Sequence, residues 1–464
     1  MTEKRATRLL ADWLAALTPE AIPEPVRRVA QRCLVDTLGV MLAGSETRVA
    51  GLARAVAEQS AAFGRSEAVG CNVDMAAPAA AFVNATAAHA LDFDDNCYAG
   101  FAHGSAVIVP AALALAQSRC ASGAALITAL AAGSECQYRL AQALGTTLYE
   151  RGWWTTGVLG AVGACAAAAR LLELDASATA QALGLAIAGT GGMKSVFGSD
   201  AKPLLAGRAS EAGVIAALLA GQGASGPTDA VEHPYGLAAL CNAGRFTRER
   251  LEAGDNWCLL NPGIDVKRLP VCLSSHAAVD GVMELIHERM LDTNDVVRIV
   301  CDVPPLVAAN LIYPQPLSVQ QAQFSLPFAI AASLSCGELT LDCLNEETVR
   351  SPALAQLMEK VAMTTGPRWR DAELLRRAPE GAAVTLEMAD GTKYERFTAQ
   401  ARGTSVRPLS DEELSDKFRR CAGRVMGAAQ TQNLLDRLWG AETLPNLDDI
   451  LALRPTRGKT PDDV

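Results

Sequence analysis

Apolar residues recur at helical spacing through most of the first 260 positions. The run VRRVAQRCLVDTLGVMLAG (26–44) keeps that spacing and stops at Gly44, and ALITALAAGSECQYRLAQALG (125–145) repeats the design with a terminal Gly. Ala-rich stretches at 76–91, 106–117 and 159–172 predict helices whose small side chains let them pack closely. The pattern changes near residue 265. DVVRIVCDV (295–303) is β-branched and predicts a strand, and AAVTLEMADGTKYERFTAQ (382–400) alternates around Asp390-Gly391, a strong hairpin signal. Helices are predicted between them at 273–290, 324–335 and 352–364. From Ser410, SDEEL offers a cap followed by acids in a first turn, and the chain becomes helical again. The predicted fold is mainly α: a large all-helical domain from 1–265 plus 405–464, with a smaller α+β lid domain, 266–404, inserted. A cleft between the two is the expected ligand site.

Length agrees with this division, because 464 residues exceed one ordinary core. The chain carries 41 basic and 51 acidic residues, a net charge of -10, which argues against sequence-independent nucleic-acid binding. Cations for an anionic substrate must therefore be local. The opening MTEKRATRLLADWLAAL reads as an amphipathic helix rather than a leader, and no uninterrupted apolar run reaches membrane-spanning length. A soluble, cytoplasmic protein without a membrane partner is expected. The 13 cysteines are odd in number and contain no CxxC pair, a pattern against a disulfide framework and against a zinc or iron-sulfur site, so no metal is expected. AGTGGMKS (188–195) imitates a phosphate loop, but Met193 stands where Gly must precede the lysine.

Candidate chemistry gathers in HALDFDDNCYAGFAHGS (89–105), which holds two of the five histidines and three aspartates inside an apolar stretch. Buried polar groups cost free energy unless paired or used. If 76–95 is helical, His89, Asp92 and Asn96 share one face while Asp94 points elsewhere. His103 lies beyond a turn, close enough to return to the same place. Two readings stay open on these residues alone. One is an acid–base site, since His titrates near neutral pH and a carboxylate can orient it. The other has Asp92 and Asp95 capping or bridging helix ends around a satisfied core His89.

Several segments resemble the landmarks of the MmgE/PrpD family: CLVDTLGVMLAGS (33–45), HALDFDD (89–95), HGSAVIVPAALALAQ (103–117), KPLLAGRASEAGVIAALLA (202–220), VKRLPVCLSSHAAVD (266–280) and FSLPFAIA (324–331). Its members include 2-methylcitrate dehydratase, cis-aconitate decarboxylase and iminodisuccinate epimerase. The resemblance runs in order over nearly the whole chain. It implies a large helical domain with a smaller α+β lid, commonly assembled as a homodimer, and chemistry on a small carboxylate without a cofactor. It further implies that Asp92 and His103 do acid–base work, and that Lys202 and Lys267 bind substrate carboxylates and stabilise an enolate-like intermediate. Arg208 and Arg268 are further carboxylate contacts on this reading, or pairs for acidic neighbours. Asn96 joins the substrate-binding set, His276 either caps or catalyses, and His233 and His287 are structural.

The departures from the family pattern matter too. In RGWWTTGVLG, Trp154 stands where dehydratase and decarboxylase branches carry a histidine, and Phe328 stands where relatives often have Tyr. Cys272 replaces a histidine of the decarboxylase branch, and HGS replaces HPS after His103. These changes remove proton-handling groups and make the pocket more apolar; Trp154, Cys272 and Phe328 are expected against the substrate, the indole offering a flat face. The family hosts several reactions on one scaffold. The expected function is a cofactor-independent lyase, a hydro-lyase first, acting on a small di- or tricarboxylate or related acid. In it His103, oriented by Asp92, moves a proton alpha to a carboxylate. An epimerase using the same site and a catalytically silent carboxylate-binding homologue are the alternatives.

Overall fold

The computed structural model describes residues 5–451 other than 253, 255 and 449. Positions 1–4 of the predicted N-terminal helix and 452–464 of the predicted helical domain lie outside the described residues. The helical pattern materialises as Ala6–Ala16, Glu24–Gly44, Ala77–His89, Ser105–Ser118, Gly123–Leu144, Thr155–Leu171 and Ala201–Gly221. Local chemistry sets their ends. Ser122 accepts a hydrogen bond from Ala125 N to start one helix, and Gly145 ends it at a φ of 69° that Gly adopts without strain. Small residues permit the close packing: a Cβ placed on Gly213 would lie 2.5 Å from Ala164 Cβ on the neighbouring helix.

These helices share one apolar core, and the chain rejoins it after residue 405 through Leu409, Leu414 and Phe418. Ser410 and Glu413 form the reciprocal cap that starts Asp411–Ala422. A second core runs from Leu269 to Ala401 and forms the smaller α+β domain. Its mixed sheet orders the strands Val361–Thr364, Val296–Asp302, Ala382–Met388 and Lys393–Thr398. The first pair is parallel and the other two antiparallel, with Ile299 facing both Val361 and Leu386. The hairpin turns at Asp390-Gly391, Gly391 having a φ of 85°. His276–Arg289 and Leu326–Cys336 are the helices packed with this sheet.

One predicted helix is corrected. Residues 352–364 split into the helix Pro352–Glu359 and the strand Val361–Thr364. Ile299 N donates to Lys360 O at 2.8 Å, so pairing with a strand some 60 residues earlier overrides local helical spacing. Ala201–Gly221 is long and apolar enough by composition to cross a membrane, although Lys202, Arg208 and Glu211 interrupt its apolar run. Half of that window is buried, packed against Thr155–Leu171 and Ala77–His89.

Candidate active site

The helix Ala77–His89 ends at His89, before the predicted limit of 95, and Asp92 adopts a φ of 49°, a left-handed conformation that Asp tolerates better than most residues. The backbone therefore turns between His89 and Asn96 instead of extending one helical face. Asp92 and Asp94 are sent to different partners, which corrects the expectation that Asp94 points away and that Asp92 orients His103.

Asp94 is the carboxylate of the histidines. Its Oδ2 lies 2.8 Å from Nδ1 of His89 and 3.2 Å from Nδ1 of His103. His103 Nδ1 also lies 2.9 Å from the Asp95 carbonyl oxygen, which can only accept, so Nδ1 carries the proton and Nε2 is the basic nitrogen. The loop bearing His103 is fixed from the helix Thr155–Leu171: Thr156 Oγ1 accepts from His103 N at 3.0 Å and Thr155 Oγ1 donates to Phe101 O at 2.8 Å. Burial pushes His89 down to about 4, outweighing Asp94, so its ring is neutral at pH 7. Burial opposes the charge of Asp94 as well, yet His89 and His103 hold it well below the usual carboxylate range. Gly104 is explained here, because a Cβ there would meet the buried Tyr138 hydroxyl at 2.3 Å.

Asp92 is the carboxylate of the lysines. Lys202, in the first turn of Ala201–Gly221, donates to Oδ1, and the Lys267 ammonium lies 3.0 Å from Oδ2 and 2.8 Å from the Asp92 carbonyl oxygen. Burial works against this carboxylate, but the two cations hold Asp92 well below its usual range. Burial likewise opposes the charge of Lys267, while Asp92 and Asp94 raise its pKa above the ordinary lysine value. Three rings surround the Lys202 ammonium at 5.0 to 5.8 Å, those of Phe324, Phe197 and Trp154.

Both groups meet at a cavity of about 40 Å³ between the domains. That space is far below the several hundred Å³ of a ligand pocket, so the side chains around it are packed close together. Of the expected residues, Asp92, Asn96, His103, Trp154, Lys202 and Cys272 line it. Trp154 stacks on His89, ring centroids 5.4 Å apart, and puts on the wall an indole that cannot shuttle a proton at neutral pH. Burial pushes the Cys272 thiol up to about 11, leaving it neutral.

The remaining candidates are corrected. Lys267 is fully buried behind Asp92 and does not line the cavity. Arg208 faces outward, paired with Glu211 at 2.6 Å and lying over Phe82. Arg268 turns away from Lys267 to Asp280 and Glu338, at 2.6 and 3.3 Å. His276 points its Nε2 at the Val271 carbonyl, 3.2 Å away, and burial followed by Lys267 pushes it down to about 3, a structural histidine. Phe328 is fully buried in the second core. Sequence reasoning missed Asp94, Tyr149, Asn310 and Glu380, the last three lining the cavity. A cleft of about 960 Å³ lies elsewhere, beside Arg268, but its arginines are spent on acids such as Glu338, Asp342 and Asp416.

His89, Asp94 and His103 bring one ligand-capable atom each within 4.8 Å of the others. The Nδ1 proton that His103 must present to Asp95 O denies a metal ion that lone pair, so this triad fits hydrogen bonding better than metal ligation.

The geometry can be set beside known proteins. The chain is 27% identical over its full length to cis-aconitate decarboxylase of Homo sapiens, covering 97% of that protein. It is 26% identical to the same enzyme of Mus musculus, over 98% of this chain and 93% of that one, and 23% identical to that of Aspergillus terreus, over 98% and 97%. Residues 8–249 match the MmgE/PrpD N-terminal domain and residues 269–441 the MmgE/PrpD C-terminal domain. Two matched domains, in order and together covering most of the chain, make it a member of the MmgE/PrpD family.

Proposed function

We propose that the protein is a lyase acting on a small carboxylic acid, with His103 moving a proton at the carbon next to a carboxylate. The observation that carries this reading is His103 itself. It lines the cavity with Nδ1 fixed as a donor and Nε2 left basic, while its ring is held by Asp94. A positioned histidine of this kind is worth about 10²–10⁴ in rate. Lys202 sits beside it to receive the carboxylate and to stabilise charge that develops on it. Asp92 holds that ammonium in place.

Two bond cleavages fit. Loss of carbon dioxide leaves an electron pair on carbon, which takes a proton from protonated His103. Loss of water needs His103 as base on the alpha proton and a second group to protonate the departing hydroxide. The full-length likeness to decarboxylases supports the first.

The test is NMR of a carboxylic-acid panel incubated with the protein in deuterated water, alongside a His103→Gln variant. Decarboxylation installs one deuteron and releases carbon dioxide, dehydration yields an alkene, and epimerisation exchanges the alpha proton with no net loss. Turnover of an acid by the protein that is retained in His103→Gln would overturn the mechanism, and the absence of any turnover would overturn the enzyme reading.

A further inference from the structure

The cavity wall is poor in positive charge. Lys202 is the lone lysine on it, no arginine among the described residues lines it, and Asp92 already neutralises that ammonium. Behind the wall the balance is closed as well, because Lys202 and Lys267 stand against Asp92 and Asp94. A second carboxyl group, Glu380 of the α+β domain, also faces the space. It is held rigidly: Ser274 Oγ donates to its Oε1 at 2.5 Å and the Tyr98 hydroxyl donates to its Oε2. Ser274 in turn accepts from Asn310 Nδ2 at 3.0 Å, and Asn310 Oδ1 accepts from the Tyr149 hydroxyl at 2.8 Å. Burial raises the Glu380 pKa above the ordinary glutamate value.

The rest of the wall is largely aromatic. Phe101, Tyr149, Trp154, Phe197 and Phe324 all line the cavity, with Phe197 and Phe324 stacked 5.1 Å apart beside Lys202. A di- or trianion seated here would bury at least one carboxylate beyond the one that can share Lys202 with Asp92, with no cation to pair it and with Glu380 close by. A single carboxylate shares the Lys202 ammonium with Asp92 and leaves no further carboxylate unpaired, while its apolar remainder lies against the rings.

Resting on the lyase reading above, we propose that this site takes a small monocarboxylic acid with an apolar or unsaturated remainder, and that Glu380 is the specificity-determining residue that rejects a second carboxylate.

The experiment compares kcat/KM of the full-length protein for short-chain 3-hydroxy, 3-oxo and 2-enoic monocarboxylic acids with values for fumarate, succinate, citrate and cis-aconitate. NMR in deuterated water provides the readout. The expected result is a preference for monocarboxylic acids of about tenfold or more. In Glu380→Gln, which keeps the shape and removes the acid, that preference should fall toward parity. Equal or faster turnover of cis-aconitate or citrate would overturn the substrate assignment while leaving the lyase reading intact. A failure of every acid to turn over would overturn both, and an unchanged preference in a folded Glu380→Gln would overturn the role of Glu380. The panel on the unmodified protein decides the substrate class even where the variant does not fold.

Discussion

Asp92 and Asp94 stand two residues apart in one turn, both buried, yet they serve opposite ends of the chemistry. Asp94 is fully buried and pairs with the ring nitrogens of His89 and His103. Asp92 pairs with the ammonium groups of Lys202 and Lys267. The first arrangement is suited to moving a proton, the second to holding a constant field. The comparison teaches that a buried carboxylate takes its role from the cations its backbone geometry makes available.

The largest expected effect breaks the histidine side. His103→Gln should lower kcat/KM by about 10²–10⁴ while a thermal melt stays near that of the parent, since this side chain is only partly buried. A collapse of both together would mean that the two sides are not separable. On the lysine side, Lys267→Met should cost about 3–5 kcal/mol of stability in chemical denaturation, because it leaves one face of the buried Asp92 uncompensated. Lys202→Met should be milder on stability, raise KM on the order of tenfold for whichever acid is turned over and lower kcat as well, since the same ammonium both receives the carboxylate and stabilises developing charge.

A third carboxylate in the same turn sharpens the contrast. Asp95 has no cation; Ser105 donates to it, and burial pushes it up to about 7. Its native pKa lies above the unfolded one, so its contribution to stability is full below about pH 4 and is lost as pH rises toward 7. Asp95→Asn should therefore gain melting temperature relative to the parent between pH 5 and 8. The smallest effect is expected from Arg208→Ala, whose exposed pair with Glu211 is worth about 0–1 kcal/mol and whose removal should leave kcat/KM unchanged.

Much of this was legible before any coordinates. The Gly-terminated helices, the hairpin at Asp390-Gly391 and the cap at Ser410 are local signals, and each appears where its residues place it. Residues 89–105 were legible as the chemical centre of interest, as were His103 and Lys202. The pairing of Asp94 was not, because helical spacing assumes a helix, and the left-handed step at Asp92 ends that assumption. Arg268 and His276 misled by proximity along the chain: Lys267 pairs with Asp92, while Arg268 beside it pairs with Asp280 and Glu338, and His276 turns to the Val271 carbonyl. Glu380 carries no local mark, since Pro-Glu-Gly reads as a surface turn and its partner Tyr98 lies 282 positions away.

Lys417 donates to the Phe93 carbonyl at 2.8 Å and pairs with Asp36 at 2.7 Å, so the turn between Asp92 and Asp94 is fastened by a helix 324 positions downstream. During synthesis the aspartates and His103 leave the ribosome long before that fastening exists, and the α+β domain must be made in between. A nascent chain thus carries every reactive group of the histidine side without the means to hold them, and it becomes competent only when its last helices dock.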